Sequence, residues 1–167
     1  EICKGDIPTM NQPSFSSFSS PGDDARLPEQ MTIGDVAVTF LHACDTGMGW
    51  QACAHLCEPD ASFIAQCDQL SGVTDLRIYC DWVRDLLKCM PDSRYEVRSL
   101  GIDEARNNVT IFAVLEGTHT SGGGPVPPTG KSVSADYVYA LEFSGNRIRH
   151  LTKIWNDPLT LKELGWA

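Results

Sequence analysis

Two histidines and a tyrosine lie on predicted β-strands in the second half of the chain, among residues that are otherwise mostly apolar. They are His119, Tyr139 and His150. Histidine exchanges protons near neutral pH, and a phenol can donate a hydrogen bond to a developing oxyanion. If the protein catalyses a reaction, we therefore expect proton transfer at these three side chains. The competing interpretation is a core that contains a few polar groups with satisfied hydrogen bonds.

The alternation of side chains along the strands predicts which of these groups meet. The three strands predicted here are 109–118, 133–143 and 147–155. On the third strand, His150 and Thr152 alternate with Lys153, and we expect the even-numbered side to face the interior. His150 then pairs with Tyr139 across neighbouring antiparallel strands.

The length and composition indicate one globular domain with a substantial core, since the chain has 167 residues of which 42% are apolar. The formal charge of −9 and the scattered basic residues argue against binding to nucleic acid or to an anionic membrane surface. No apolar run reaches the roughly 20 residues of a membrane span. We expect a cytoplasmic protein, although a leader removed before residue 1 would leave no trace.

The seven cysteines are odd in number and spread over predicted helices and a strand, which favours buried thiols over a disulfide framework. Cys53 and Cys57 are four residues apart, with His55 between them. On a helix the two cysteines share a face and His55 points away from it, so the sequence predicts no metal site.

The order of predicted elements indicates an α+β domain over residues 31–167, preceded by an irregular arm over residues 1–30. Thr32 and Asp35 form a capping-box variant that begins the first helix, and Asp157 and Pro158 resemble the start of the last helix. The remaining predictions are a short helix 48–57, a strand 61–67, a long helix between 74 and 90, and a strand 94–100. Long antiparallel strands that bend around a helix form a cone, which becomes a ligand cavity where side chains do not fill it.

Three short segments carry a family resemblance. They are LEGTHT at 115–120, VPPTGK at 126–131 and NRI at 146–148, with Trp155 downstream. Together with the order of elements over residues 32–155, they resemble the SnoaL-like polyketide cyclase branch of the nuclear transport factor 2-like superfamily. The resemblance implies a cone in which a curved antiparallel sheet wraps around a long helix and encloses a hydrophobic cavity.

The resemblance also implies site residues. The family carries an aspartate four positions before the aromatic residue that closes the second long strand, and that position is Tyr139 here. A phenol is a poor proton acceptor at neutral pH. Asp136 lies on the opposite face and reaches the cavity only if a β-bulge shifts the alternation. His119 matches the histidine of the family segment, so the catalytic candidates are His119, Tyr139, His150 and Asp136.

The function implied is cofactor-independent proton-transfer chemistry, as in a cyclase, isomerase or hydrolyase, on a hydrophobic small molecule that bears a carbonyl. The candidate substrate-binding residues are Trp50, Phe63, Tyr79, Trp82, Leu115 and Thr152. The loop 121–131 is either a plain connection or a flap over the cavity. The first alternative is a non-catalytic binding module, which the tyrosine at position 139 favours. The second is an association unit that forms a homodimer through the outer face of the sheet, where Arg149 and Lys153 face Asp136 and Glu142.

Overall fold

Five strands form one curved, unclosed sheet whose concave side is covered by helices, in a computed structural model that describes residues 27–167. The helices are α1 (Ile33–Asp45), α2 (Trp50–Cys53), α3 (Leu76–Leu87) and α4 (Asp157–Leu164), and the strands are β1 (Cys57–Gln66), β2 (Arg94–Asp103), β3 (Asn108–Thr118), β4 (Ser132–Ser144) and β5 (Arg147–Trp155). The predicted arm, residues 1–30, lies outside the described residues except for its last four.

Side-chain caps define where the helices begin. The Thr32 side chain accepts a hydrogen bond from the Asp35 amide, and the Asp35 carboxylate accepts one from the Thr32 amide, so the predicted capping box is present. The last helix is capped by Asn156, whose side chain accepts from the Leu159 amide. The predicted N-cap, Asp157, is therefore one residue too far toward the C-terminus.

The sheet has the order β1-β5-β4-β3-β2, and every neighbouring pair is antiparallel except β1 with β5, which is parallel. The edge strand β1 begins at Cys57 and contains Pro59, so the predicted helix 48–57 was too long at its C-terminal end. Pro59 lies where the pairing of β1 with β5 is interrupted, between Cys57 and Ser62. An edge strand tolerates the missing amide hydrogen of proline at such an interruption.

A β-bulge in β5 reverses the predicted orientation of half of that strand. Phe143 of β4 pairs with Ile148 and the preceding Glu142 pairs with His150, so Arg149 is an extra residue in β5. Ile148 is buried before the bulge, whereas Lys153 is buried after it. The expectation that the even-numbered face of β5 is interior throughout is therefore wrong after Ile148.

The outer face of the sheet carries a short apolar row. Phe112 of β3 pairs with Val138 of β4, which pairs with Ile154 of β5, and Ile154 is half exposed. Beside the row, Arg149 forms an ion pair with Glu142 at 2.6 Å. Association of two copies through this face remains a prediction.

The capping box gives a test of the first helix. We expect Thr32→Ala to lower the free energy of unfolding by about 1 kcal/mol, because the substitution leaves the Asp35 amide without its acceptor. Urea denaturation measures the change. Thr39→Ala in the same helix is the matched control, since alanine is the better helix former at an interior position. Equal losses in the two variants would contradict a capping role for Thr32.

Candidate functional site

A buried group of five polar side chains lies where α1, α3, β4 and β5 meet. They are Asp45, Tyr79, Tyr137, Tyr139 and Lys153, and none is more than 8% exposed. Lys153 lies directly opposite Tyr139 on the neighbouring strand. The β5 bulge and the last turn of α1 thus bring opposite charges into one interior.

The five side chains are joined by a continuous line of hydrogen bonds. Lys153 Nζ donates to Tyr79 Oη at 2.9 Å, and the hydroxyls of Tyr79 and Tyr139 are hydrogen-bonded to each other. Tyr139 then donates to Asp45 Oδ1 at 2.8 Å, and Tyr137 donates to Asp45 Oδ2. With an ammonium at one end and a carboxylate at the other, Tyr79 must be the donor to Tyr139. Moving one proton from Lys153 to Asp45 reverses the three bonds between them without moving a heavy atom, while Tyr137 still donates to Asp45.

Burial shifts both ends of the line toward their neutral forms. It raises the pKa of Asp45 to about 7, against the opposing effects of the Lys153 charge and the tyrosine hydroxyls. Burial likewise lowers the pKa of the Lys153 amine, while the Asp45 charge acts in the opposite direction. The two shifts therefore narrow the difference between the pKa values of the two groups, which ordinarily lie far apart.

Four aromatic rings surround the amine. Lys153 Nζ lies 4.9 Å from the centre of the Tyr137 ring, 5.1 Å from Trp155, 5.3 Å from Tyr79 and 5.5 Å from Tyr139. Ring faces attract a cation at such distances. The cage therefore stabilises a positive charge at this point while it excludes water.

A small apolar cavity of about 50 Å³ opens beside the amine. Its walls include Trp82, Leu115, Tyr137, Trp155, Leu164 and Trp166, and Lys153 is the one charged side chain that lines it among the described residues. A second void of about 20 Å³ is bordered by both Lys153 and Asp45. On its other side Asp45 borders an open surface groove, next to His42 and Tyr95, so the hydrogen-bonded line runs from near the surface to the cavity.

Several predicted site residues meet here. Tyr139 and Tyr79 belong to the hydrogen-bonded line, and Trp82 and Leu115 line the cavity. Phe63 stacks on Tyr79 with the ring centres 4.2 Å apart, so it helps to hold the Tyr79 ring in place. Alternation along β1, β3 and β4 and the helical spacing of α3 predicted that these residues face the interior, and their substrate-binding role remains a prediction.

His119 lies at the end of β3 and is held by the C-terminal segment. Its Nδ1 accepts hydrogen bonds from Trp166 Nε1 at 2.9 Å and from the Thr129 amide at 3.3 Å. Both donors point at Nδ1, so the proton of the neutral ring is on Nε2, which has no partner among the described residues. Its hydrogen bonds and ring contact join His119 to Thr129 and Trp166 rather than to the Lys153 group, and its catalytic role remains a prediction.

The other candidates lie away from the cavity. Asp136 is exposed because β4 alternates regularly and the bulge is in β5. His150 is hydrogen-bonded to Ser62 and Thr152 on the outer face, at 2.7 and 3.0 Å. The expected pairing of His150 with Tyr139 is therefore wrong. Thr152, a predicted substrate-binding residue, also lies on the outer face. Trp50 begins α2, where its amide donates to Asp81.

Sequence reasoning missed the two ionisable ends of the line. Asp45 follows Leu41 by four residues, and helical spacing alone predicts that it shares the buried face of α1. Lys153 could not be found in this way, because a regular β5 directs it outward. Its burial depends on the bulge at Arg149.

The described cysteines, Cys44, Cys53, Cys57, Cys67, Cys80 and Cys89, are all free thiols. Between residues 27 and 167, no cluster of three or more histidine, cysteine, aspartate or glutamate side chains is arranged to hold a metal ion. Over the same range, no helix has the length and apolar character needed to cross a membrane.

A family model described as SnoaL-like polyketide cyclase matches residues 35–164. The chain belongs to this family. The resemblance inferred from the motifs is thereby confirmed. No curated protein sequence matches the SnoaL-like chain.

Solved structures of similar fold agree with this assignment. AclR, a candidate hydroxylase from Streptomyces galilaeus, has a TM-score of 0.66 at 20% identity, over 81% of this chain and 82% of its own. IdmH, a candidate polyketide cyclase from Streptomyces antibioticus, has a TM-score of 0.64 at 20% identity, over 81% and 99%. A protein with a ketosteroid isomerase-like fold from Catenulispora acidiphila has a TM-score of 0.58 at 18% identity, over 77% and 91%. At these identities the likeness shows the fold, and the predicted α+β fold with a curved sheet is confirmed.

In this SnoaL-like protein a carboxylate reaches the interior from a helix. The strand position at which the family resemblance implies an aspartate holds Tyr139, but the Tyr139 hydroxyl is hydrogen-bonded to Asp45 of α1. The site thus retains a carboxyl group one hydrogen bond away from that position.

The titration of Asp45 predicts a pH dependence of stability. Because burial raises the pKa of Asp45 from 3.8 to about 7 on folding, the folded protein retains a proton that the unfolded chain loses. This contribution to stability is complete below about pH 4 and is lost as the pH rises to 7, with a slope of up to about 1.4 kcal/mol per pH unit. Urea unfolding of the wild type and of Asp45→Asn measures this effect. The difference between their free energies of unfolding should change between about pH 4 and 7 and stay constant at higher pH. Parallel curves would show that Asp45 does not titrate as inferred.

The contacts of His119 predict a structural effect. We expect His119→Ala to lower the free energy of unfolding by about 1–3 kcal/mol, because the Trp166 indole loses its acceptor. Trp166→Phe removes the donor and keeps an aromatic ring, so the double variant should lose less than the sum of the single losses when denaturation is measured. Strict additivity would mean that the hydrogen bond contributes nothing.

Proposed function

We propose that the protein is an enzyme that transfers protons on a hydrophobic, carbonyl-bearing small molecule bound beside Lys153. The observation that carries the proposal is a buried lysine that faces an apolar cavity and is connected to a buried carboxyl group through two tyrosine hydroxyls. Stability alone does not account for such an arrangement, since hydrophobic residues of similar volume are often at least as stabilising as a buried ion pair.

Each group has a distinct part in this proposal. The neutral amine of Lys153 accepts a proton from a carbon next to the substrate carbonyl, and the tyrosine hydroxyls carry charge between the amine and Asp45. Tyr137 lines the cavity, and it can turn its single hydroxyl hydrogen from Asp45 to an enolate oxygen. A base with a pKa near the working pH is the efficient one, which the burial of both ends favours. The chain itself supplies these groups, so the proposal includes no cofactor.

The lining of the cavity indicates the class of substrate. Indole and aliphatic side chains form most of the wall, which suits an aromatic or alicyclic skeleton with few charges. The enclosed volume of about 50 Å³ is far below the roughly 300 Å³ of a typical ligand pocket. Binding of such a skeleton therefore requires the cavity to widen.

The alternative function, a binding module without catalysis, is favoured by the absence of an aspartate at position 139. The Asp45 carboxyl group weakens that argument, because it restores an acidic group next to Tyr139. Binding and chemistry are separated by one experiment on the same ligands.

The experiment has two steps. A thermal-shift screen of hydrophobic ketones identifies ligands, since a compound at 100 times its dissociation constant adds about 2.7 kcal/mol and shifts the melting temperature by several degrees. Proton NMR in D₂O then measures exchange of the hydrogens next to the carbonyl of each ligand. We expect Lys153→Met to slow the catalysed exchange by about 10²- to 10⁴-fold, the usual contribution of a general base.

Lys88→Met is the matched control, because Lys88 is 64% exposed and pairs with Asp85 on the surface of α3. The Lys88→Met variant should catalyse exchange of the ligand hydrogens at the wild-type rate. Ligands that bind but undergo no exchange faster than in buffer would favour the binding module. Equal rates for Lys153→Met and the wild type would remove Lys153 from the mechanism.

A further inference from the structure

The Lys153 amine has a chemical capacity that a carboxylate in the same place would lack, because an amine adds covalently to a carbonyl carbon. We propose that Lys153 Nζ condenses with the ketone or aldehyde group of the substrate to form an iminium ion. This inference rests on the proposed function and assigns it a covalent intermediate.

Among the described residues, the Tyr79 hydroxyl is the one hydrogen-bond partner that the neutral amine must release before its lone pair can react. Lys153 Nζ makes one hydrogen bond within the described part of the chain, to Tyr79 Oη. Its remaining surface faces the rings of Tyr137 and Trp155 and the cavity between them. A desolvated lysine in an apolar pocket is a good nucleophile, since burial favours its neutral form.

The hydrogen-bonded line supplies the proton that the condensation needs. The nitrogen lone pair attacks the carbonyl carbon, the carbon–oxygen double bond opens, and a proton passes from nitrogen to oxygen to give a carbinolamine. Tyr79 then protonates the hydroxyl group, which leaves as water while the nitrogen lone pair forms the carbon–nitrogen double bond. Tyr139 returns a proton to Tyr79, and Asp45 returns one to Tyr139. The balance is a neutral amine, a carboxylic acid and a carbonyl that become an iminium, a carboxylate and water.

The surroundings match the product of that reaction. An iminium carries its positive charge where the ammonium lies, within about 5 Å of four ring centres, so the aromatic cage stabilises it as well. Asp45 becomes a carboxylate in the same step and balances the charge through the tyrosines. The iminium then draws electrons from the neighbouring carbon, which makes the hydrogens on that carbon more acidic. Because the iminium nitrogen has no lone pair, the base for this covalent route is the Asp45 carboxylate, which receives the proton through Tyr79 and Tyr139.

Reductive trapping tests the proposal. The full chain is incubated at pH 7 with butan-2-one and sodium cyanoborohydride, which reduces an iminium to a stable secondary amine, and the modified lysines are located by peptide mass spectrometry. We expect Lys153 to be alkylated at least tenfold faster than the exposed Lys88, Lys131 and Lys162. Those lysines are internal controls, because their amines are exposed to solvent whereas that of Lys153 is buried.

Two variants test the proton supply. Tyr139→Phe interrupts the line and Asp45→Asn removes its acid, so both should reduce trapping at Lys153 at least tenfold while circular dichroism and trapping at the exposed lysines stay unchanged. Wild-type trapping at Lys153 in both variants would overturn the role of the line.

The trapping experiment and the exchange experiment can contradict the two proposals independently. If Lys153 is modified no faster than the exposed lysines, the iminium is overturned, even where Lys153→Met abolishes proton exchange and the general-base function stands. If Lys153 is trapped but the exchange rate is unaffected by Lys153→Met, covalent capture is supported and the proposed proton transfer fails.

Discussion

The interior of this domain contains an acid and a base that are joined through two phenol hydroxyls. Transfer of either charge from water to a protein interior costs several kcal/mol, and an unpartnered charge left behind is strongly destabilising. Asp45 and Lys153 offset that cost by sharing one hydrogen-bonded line and an aromatic cage. Since α1, α3, β4 and β5 each supply a member of the line, the placement of the helices on the sheet and the charge balance of the core depend on each other.

This arrangement separates two tasks that a single strand aspartate would combine. The charged acid lies at the helical side near a surface groove, and the amine lies at the cavity. In the proposed mechanism, protons enter at the Asp45 end and the substrate binds at the Lys153 end. Proton transfer to and from the amine then requires no water inside the cavity, which is consistent with walls made mostly of indole and aliphatic groups.

Much of the fold follows from local sequence. Thr32 and Asp35 define the start of α1, and β3 and β4 were predicted to within one residue at each end because their alternation is regular. The site was predicted only in part. Tyr79 and Tyr139 followed from periodicity, whereas the inward turn of Lys153 depends on strand pairing that no local pattern encodes. The parallel contact of β1 with β5 joins segments about 90 residues apart and was missed for the same reason.

The single extra residue at Arg149 also affects how relatives should be compared. A homologue without the bulge has the same number of inward positions on β5, but they are displaced by one along the chain. A sequence alignment without a gap there would match Lys153 to an outward residue and report the amine as lost or gained when it had not changed. Superposition of the strands, rather than similarity of letters, is therefore the proper basis for deciding which members of the family carry a lysine in the cone.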